Sequence, residues 1–278
     1  MKLSLGFSPC PNDTFIFDAL VNNKIDTEGL EFDVYLEDVQ TLNQWALQKK
    51  LDVSKISYGV LPLVLQEYIV LNSGGALGQG VGPLLISKKT LEDMSMVNEM
   101  TIAIPGENTT AHMLFTYAFP NALKKKFLVF NQVENAVLND DVDAGVIIHE
   151  NRFTYQDRRL IKLMDLGEHW EQQTAAPIPL GCIIINRSFD RKVQEQLERL
   201  IKESIEYSFF HYPEVSSYVS EHSQEMSEDV MRKHIDLYVN DFSIDLKENG
   251  KAAVHKLLEV YKQLNKSTIA NDKIFVGE

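Results

Sequence analysis

Apolar runs separated by polar turns follow one another along most of the chain, in the pattern typical of an α/β protein. Leu3–Phe7 predicts a first strand, and Phe15–Val21 predicts the helix after it. Glu31–Leu36 alternates polar and apolar residues, as a half-buried strand does. Similar patterns predict strands at 51–59, 69–71, 84–86, 101–104, 127–130, 143–148 and 160–166, and a further one that ends at Ile185.

The remainder of the chain is predicted to be helical. The predicted helices are Arg191–Phe210, Val215–His222, Ser227–Val239 and Glu248–Leu264. Pro213 separates the first two, because proline resists continuing a helix. The last residues, Ser267–Glu278, are predicted to form a loosely attached tail.

Two segments divide the pattern into units. Lys88–Met100 is polar and charged, and the segment 175–180 is rich in proline, so we expect the chain to cross between lobes at both. The prediction is an α/β, two-lobed, periplasmic-binding-protein-like (type II) fold with a ligand cleft between the lobes. Residues 1–90 and 180–278 would form lobe one, which includes the C-terminal helices. Residues 91–179 would form lobe two, an inserted α/β unit.

The first strand-to-helix corner, Ser8–Phe15, is a candidate ligand site. Pro9 and Pro11 stiffen it, and Asn12 or Asp13 is placed to cap the helix. Ligands of α/β proteins bind at the carboxyl ends of strands, close to helix N-termini. The alternative is a well-capped surface turn.

A second corner, Pro105–Thr110, repeats this design. Thr109 and Thr110 stand at a predicted helix N-terminus, where hydroxyls and backbone amides together can bind an anion; a plain N-cap is an equal alternative. Lys55 and Ser57, at the end of the third strand, could pair with a carboxylate, although a solvated lysine is equally ordinary.

His149 stands where an apolar strand ends, and it is followed by Glu150. An imidazole there could titrate near neutral pH and act as a general base. A histidine held in a strand-end hydrogen-bond network is the alternative. Cys10 could be a nucleophile at a helix N-terminus, but no base is placed beside it, so a packed, unreactive cysteine is favoured.

A glycine-rich segment, Ser73–Pro83, excludes a regular helix. Its glycine spacing differs from that of the dinucleotide fingerprint, and a strand follows it where the fingerprint requires a helix. We expect a ligand-facing loop or a hinge, with a flexible loop as the alternative.

Composition narrows the classes of function. The chain of 278 residues has a net charge of −13, which argues against nucleic acid or an anionic membrane as partner. A small anionic ligand remains compatible, because a pocket can supply local donors. The two cysteines lie far apart, and no Cys/His metal spacing surrounds either, so neither a metal nor a disulfide framework is predicted.

The chain is expected to be cytoplasmic. Its first apolar run is too short for a signal-peptide core, and no apolar run is long enough to cross a bilayer. The pattern leaves the oligomeric state open.

Several segments together resemble the MqnD family, the 1,4-dihydroxy-6-naphthoate synthases of the futalosine route to menaquinone. They are Ser8–Phe17, Leu36–Asn43, Lys55–Tyr58, Ser73–Leu84, Pro105–Ala111 and Gly145–Tyr155. The resemblance runs from the N-terminus through Asn186, and the helical remainder is compatible in length.

The resemblance implies a carbon–carbon lyase that releases the naphthoate from cyclic dehypoxanthine futalosine without a metal or an organic cofactor. His149 matches the family's proposed proton acceptor. Lys55, Ile56 and Ser57, and also Thr109 and Thr110, match its substrate-binding segments; Pro9, Asn12 and Asp13 belong to its signature and are added as candidate substrate-binding residues.

Two alternatives remain. The related chorismate dehydratase of the same pathway shares the fold, and the Ser-Pro-Cys-Pro-Asn-Asp opening argues against it. A non-catalytic solute-binding protein belongs to a different class, and the expected lack of a signal peptide argues against that.

Overall fold

The computed structural model describes residues 1–223, 227–269, 271 and 273–278. The strands are β1 (Lys2–Phe7), β2 (Glu31–Leu36), β3 (Val53–Ser57), β4 (Tyr68–Val70), β5 (Ala76–Gly78), β6 (Leu84–Ser87), β7 (Ile102–Ile104), β8 (Lys125–Phe127), β9 (Ala144–Ile147), β10 (Ile161–Asp165) and β11 (Ile178–Asn186). The helices are α1 (Pro11–Val21), α2 (Val39–Leu47), α3 (Leu61–Val64), α4 (Thr110–Ala118), α5 (Val133–Leu138), α6 (Asn151–Thr154), α7 (Leu166–Thr174), α8 (Arg191–His211), α9 (Ser217–His222), α10 (Glu228–Tyr238), α11 (Asp241–Ile244) and α12 (Lys247–Asn265).

The strands form two sheets. The first has the order β2-β1-β3-β11-β4, with β5 also paired to β11, and the second has the order β10-β6-β9-β7-β8. In the first sheet β1 is parallel to β2 and β3, whereas β11 is antiparallel to its neighbours. In the second sheet β7 is parallel to β8 and β9. Each sheet therefore carries parallel strands whose carboxyl ends can hold a ligand.

The chain first changes sheets between β5 and β6, inside the glycine-rich segment. The crossing predicted at Lys88–Met100 is therefore wrong in position, because β6 already pairs with β9 and β10. The polar stretch after β6 instead connects two strands of one sheet over the protein surface. The chain returns to the first sheet between α7 and β11, in the predicted segment 175–180. The division into two lobes at 90 and 180 stays a prediction.

Apolar residues of both sheets pack into one shared core. Ile56 and Ile184 of the first sheet belong to the same buried cluster as Leu85, Ile102 and Val146 of the second. A second cluster fills the space between the first sheet and the helices α1, α8 and α10. The shared cluster holds the two sheets against each other, so their facing edges form a defined cleft.

The C-terminal segment is attached firmly, contrary to the predicted loose tail. Ile274, Phe275 and Val276 are buried. The Val276 amide donates to the Val70 carbonyl (2.9 Å), and the Val70 amide donates to the Ile274 carbonyl (2.9 Å). These apolar residues extend the edge of the first sheet beside β4. The free energy gained by burying their side chains and hydrogen-bonding their backbone outweighs the conformational entropy that a free terminus would keep. Residues 270 and 272 lie outside the described part. No described helix has the length and apolar character that crossing a membrane requires.

Gly59 allows the turn after β3 to touch the corner before α4. A Cβ atom at this position would lie 2.6 Å from the carbonyl carbon and oxygen of Thr109 and 2.7 Å from the Thr110 nitrogen. All three are backbone atoms, so the substitution forces the two segments apart.

We expect Gly59→Ala to lower the free energy of unfolding by about 1–3 kcal/mol, the usual cost of overpacking. Gly75→Ala is the matched control, because its nearest contact is a flexible leucine side chain 3.4 Å away. Urea unfolding measures both variants. Equal stability of the two would contradict a required close approach at Gly59.

Candidate active site

The site residues predicted from the sequence lie together around a cavity between the two sheets. All of the predicted site residues except Pro9 line it: Asn12, Asp13, Lys55, Ile56, Ser57, Thr109, Thr110 and His149. Pro9 lies in the turn just before α1 and does not line the cavity. The first corner, the end of β3, the second corner and the end of β9 therefore meet at one place.

Asp13 and Lys55 form a buried ion pair on one wall. The Lys55 Nζ lies 3.0 Å from Asp13 Oδ1, and both side chains are at least nine-tenths buried. Lys55 also donates to the Gly74 carbonyl (2.7 Å). Asp13 accepts from the Ser8 hydroxyl (2.7 Å) and from the Asn12 amide (2.8 Å). Both charges are therefore compensated by several hydrogen bonds, as burial requires.

The prediction that Asn12 or Asp13 caps α1 is wrong. Cys10 is the N-cap residue, and Pro11 begins the helix. Proline suits this first position because its missing N–H would have no partner there, and its fixed φ is already helical. Asn12 and Asp13 are thus in the first helical turn, and their side chains are free to build the ion-pair network.

Asn43 closes the family-resembling segment Leu36–Asn43 but was not among the predicted site residues, and it holds the end of β3. Its side-chain oxygen accepts from the Ser57 amide (2.8 Å), and its Nδ2 donates to the Ser57 hydroxyl (3.0 Å). Nδ2 also donates to the Asn108 carbonyl (3.0 Å) in the second corner. Asn43 is fully buried and therefore links the two walls of the cavity. Its place in that segment and on the buried face of α2 were the signals that could have pointed to it.

The hydroxyls of Thr109 and Thr110 are occupied by protein partners. Thr109 donates to the Gly106 carbonyl (2.8 Å) and accepts from the His112 amide (3.2 Å), as an N-cap does. Thr110 donates to the Leu180 carbonyl (2.7 Å) and accepts from the Gly59 amide (3.0 Å), which ties the second corner to the first sheet. First-turn backbone amides, which a helix leaves without internal acceptors, are therefore the groups of this corner that could hold an anion.

His149 lines another part of the cavity wall, two residues after β9. Its φ is 56°, in the left-handed region, which turns the chain sharply at the strand end. The ring contacts Phe130 edge-on, with the centroids 5.0 Å apart. Burial lowers the pKa of His149, while the Glu150, Asp13 and Asp38 carboxylates act in the opposite direction. The imidazole is thus held neutral at physiological pH.

Two residues of α10, which the sequence analysis left aside, complete this wall. Tyr238 lines the cavity. His234 is fully buried, its ring centroid is 5.9 Å from that of His149, and its Nδ1 lies 3.7 Å from Glu150 Oε2. Burial keeps the pKa of His234 well below the ordinary value. The i, i+4 spacing of His234 and Tyr238 places both on one face of α10 and could have indicated them as site residues. The same spacing is equally typical of core residues.

The glycine-rich segment faces the cavity and is anchored from outside. Ala76, Val81 and Pro83 line the cavity, as expected of a ligand-facing loop. The Arg152 guanidinium donates to the carbonyls of Gly80 (2.8 Å) and Gly82 and to Asp165 (2.8 Å). The Arg152 contacts thereby fix the loop in its position over the cavity.

Cys10 does not line the cavity. Burial raises the pKa of its thiol well above the ordinary value, so the protonated thiol dominates at neutral pH. This agrees with the favoured interpretation of a packed cysteine that does not act as the nucleophile.

Comparisons with known proteins agree in fold and family. The model of a family described as menaquinone biosynthesis matches residues 3–263. A Thermus thermophilus protein named 1,4-dihydroxy-6-naphthoate synthase is 40% identical over 255 residues, 92% of each chain. A Streptomyces coelicolor protein of the same name is 42% identical over 262 residues, 92% of this chain and 91% of the other.

Solved structures show the same architecture. A crystal structure of an Archaeoglobus fulgidus protein superposes with a TM-score of 0.90 at 31% identity, over 96% of this chain and 98% of the other. A Candida albicans protein described as having the generic periplasmic binding protein fold gives a TM-score of 0.70 at 12% identity, over 100% and 98%. The predicted fold class is confirmed.

Proposed function

The chain belongs to the menaquinone biosynthesis family, and from this premise we propose that its cavity converts cyclic dehypoxanthine futalosine to 1,4-dihydroxy-6-naphthoate. The names of the Thermus and Streptomyces relatives support this product. We place the reaction in the cytoplasm and take the substrate to be a small anion. The reaction is a carbon–carbon lyase step that needs proton transfer and the stabilisation of developing negative charge.

His149 is the general base of this proposal. The observation that carries it is the position of the His149 ring in the cavity lining, at the end of β9. Burial, which lowers the pKa of His149, favours its neutral form. A neutral imidazole can accept a proton from the substrate at physiological pH. The carboxylates of Glu150, Asp13 and Asp38 would then stabilise the imidazolium that forms.

In this proposal, residues of β3 and α4 bind and orient the substrate. The first-turn amides of α4 would bind the substrate carboxylate, because a helix N-terminus favours negative charge. Ser57, held by Asn43, and Lys55, held by Asp13, are preorganised donors for carbonyl oxygens. The contacts of Thr110 with Leu180 and Gly59 close this side of the cavity and exclude water.

The pH profile tests the state of His149. We expect kcat/KM to be constant above neutrality and to fall to half its maximum at a pH below 6.5, because burial lowers the pKa of the base. Glu150→Gln removes a charge that raises this pKa, so the midpoint of the variant moves to a still lower pH. A wild-type midpoint above 6.5 would contradict a neutral, buried base.

The second corner gives a binding prediction. Thr109→Val removes the N-cap of α4 at a cost of about 1 kcal/mol of stability. We expect substrate affinity to fall as well, because the first-turn amides lose their fixed direction. Thr116→Val is the control, since Thr116 lies on the same helix but does not line the cavity; its hydroxyl donates to the His112 carbonyl and accepts from Lys125 Nζ. Titration calorimetry with substrate compares the two, and an unaltered affinity of Thr109→Val argues against the anion site.

A turnover assay tests the proposed reaction itself. Purified protein incubated with cyclic dehypoxanthine futalosine should release the naphthoate, and incubation with chorismate should release nothing. A folded protein that dehydrates chorismate would instead support the related enzyme. Binding of substrate without any product would support a solute-binding protein.

A further inference from the structure

Three side chains of different chemistry converge at the end of β9. One donor atom each from Cys10 (sulfur), His149 (ring nitrogen) and Glu150 (carboxylate oxygen) all lie within 4.8 Å of one another. The N-cap of α1 supplies the cysteine and the turn after β9 supplies the other two. Because these elements are far apart in sequence, no metal-binding spacing reveals the cluster.

Glu150 also carries an unsatisfied side-chain oxygen. The residue is only 8% exposed, and its Oε2 has no hydrogen-bond partner among the described residues. The nearest charge partner is His234 Nδ1 at 3.7 Å, and neither ring nitrogen of His234 has a hydrogen bond. Buried carboxylate oxygens are normally paired, because leaving one unpaired costs free energy. The cluster therefore has capacity for a positively charged ligand.

Negatively charged side chains also surround the cluster. Glu150, Asp13 and Asp38 all lie close enough to act electrostatically on both Cys10 and His149. Lys55 pairs with Asp13 (3.0 Å), so Glu150 and Asp38 supply the net negative charge that favours a cation.

We propose that Cys10, His149 and Glu150 bind a divalent cation of the zinc class. A thiolate, an imidazole and a carboxylate form a donor set that suits Zn²⁺ or Co²⁺ and disfavours Mg²⁺ and Ca²⁺. The thiolate and carboxylate neutralise the charge of the ion. Binding breaks the S–H bond of Cys10 and releases its proton to solvent, so affinity increases with pH.

The bound ion inhibits the enzyme. Coordination uses the lone pair with which His149 would accept the substrate proton, so metal and catalysis exclude each other. This consequence rests on the proposed function, whereas the binding site itself does not.

Cobalt binding tests the site directly. Wild-type protein under anaerobic, reducing conditions should take up one equivalent of Co²⁺ with a thiolate-to-cobalt charge-transfer band. Cys10→Ala should lose the band and bind Co²⁺ at least about tenfold more weakly. Cys182→Ala, which removes the other buried cysteine, should keep both the band and the affinity. Circular dichroism checks that each variant is folded.

A second variant keeps the test decisive if Cys10→Ala is unstable. Glu150→Gln should retain the charge-transfer band but bind at least about tenfold more weakly, because it loses an ionised ligand. A wild-type protein without the band, or a band that survives in Cys10→Ala, overturns the site.

Inhibition is measured separately. Zn²⁺ should abolish formation of the naphthoate, and EDTA should restore it. Cobalt binding together with unchanged or increased turnover in Zn²⁺ overturns the inhibitory role. Absence of turnover in metal-free protein contradicts the proposed function. In that case the cobalt titration still tests whether Cys10, His149 and Glu150 bind a metal ion.

Discussion

Replacing His149 by alanine is expected to lower kcat by about 10²- to 10⁴-fold, the usual contribution of a general base. Substrate affinity should change little, because the proposed donors, Ser57, Lys55 and the first-turn amides of α4, belong to other elements of the cavity lining. Single-turnover kinetics measures the chemical step, and calorimetry measures binding.

The backbone at His149 calls for a second variant. Its φ of 56° is strained for alanine, whereas asparagine adopts the left-handed region more readily. We expect His149→Asn to fold like the wild type and to lose turnover to the same extent. His211→Ala, at the exposed end of α8, should retain full activity. If both His149 variants turn over like the wild type, His149 is not the base.

Disrupting the ion pair between Asp13 and Lys55 should have the largest effect on stability. Asp13→Asn leaves the buried ammonium of Lys55 without its counter-ion, and Lys55→Met leaves the carboxylate without its counter-ion. We expect each change to lower the free energy of unfolding by about 3–5 kcal/mol, the cost of an uncompensated buried charge.

The double variant tests the coupling. Asp13→Asn combined with Lys55→Met should lose less stability than the sum of the two single losses, because it leaves no unpaired charge. Asp33→Asn is the control, since its ion pair with Lys2 is exposed and should contribute little. Urea unfolding with unchanged m-values provides the comparison. Strictly additive losses would show that the pair does not act as a unit.

Much of the secondary structure was predictable because its signals are local. The helices predicted at Arg191–Phe210 and Glu248–Leu264 are observed as Arg191–His211 and Lys247–Asn265. Their apolar spacing is a property of neighbouring residues. The two strand-to-helix corners were predictable for the same reason, since proline and hydroxyl residues act on their own turn.

The first crossing between sheets was placed wrongly for a physical reason. Polarity distinguishes surface from interior, and the polar stretch Lys88–Met100 does lie largely on the surface. The polarity of the sequence does not specify which sheet a strand joins. All of β6 is buried, and the strand would be buried equally well in either sheet. Pairing with β9 and β10 decides its place.

The sequence by itself determined most of the helices and strands, the fold class and a large part of the cavity lining, because the predicted residues lie in β3, at strand ends or at helix starts. Only the tertiary structure decided how those ends meet. It placed Asn43 between Ser57 and Asn108, made the threonine hydroxyls structural, and brought His234 beside His149. These contacts join residues that are distant in sequence, so they depend on how the sheets and helices pack, which no local pattern specifies.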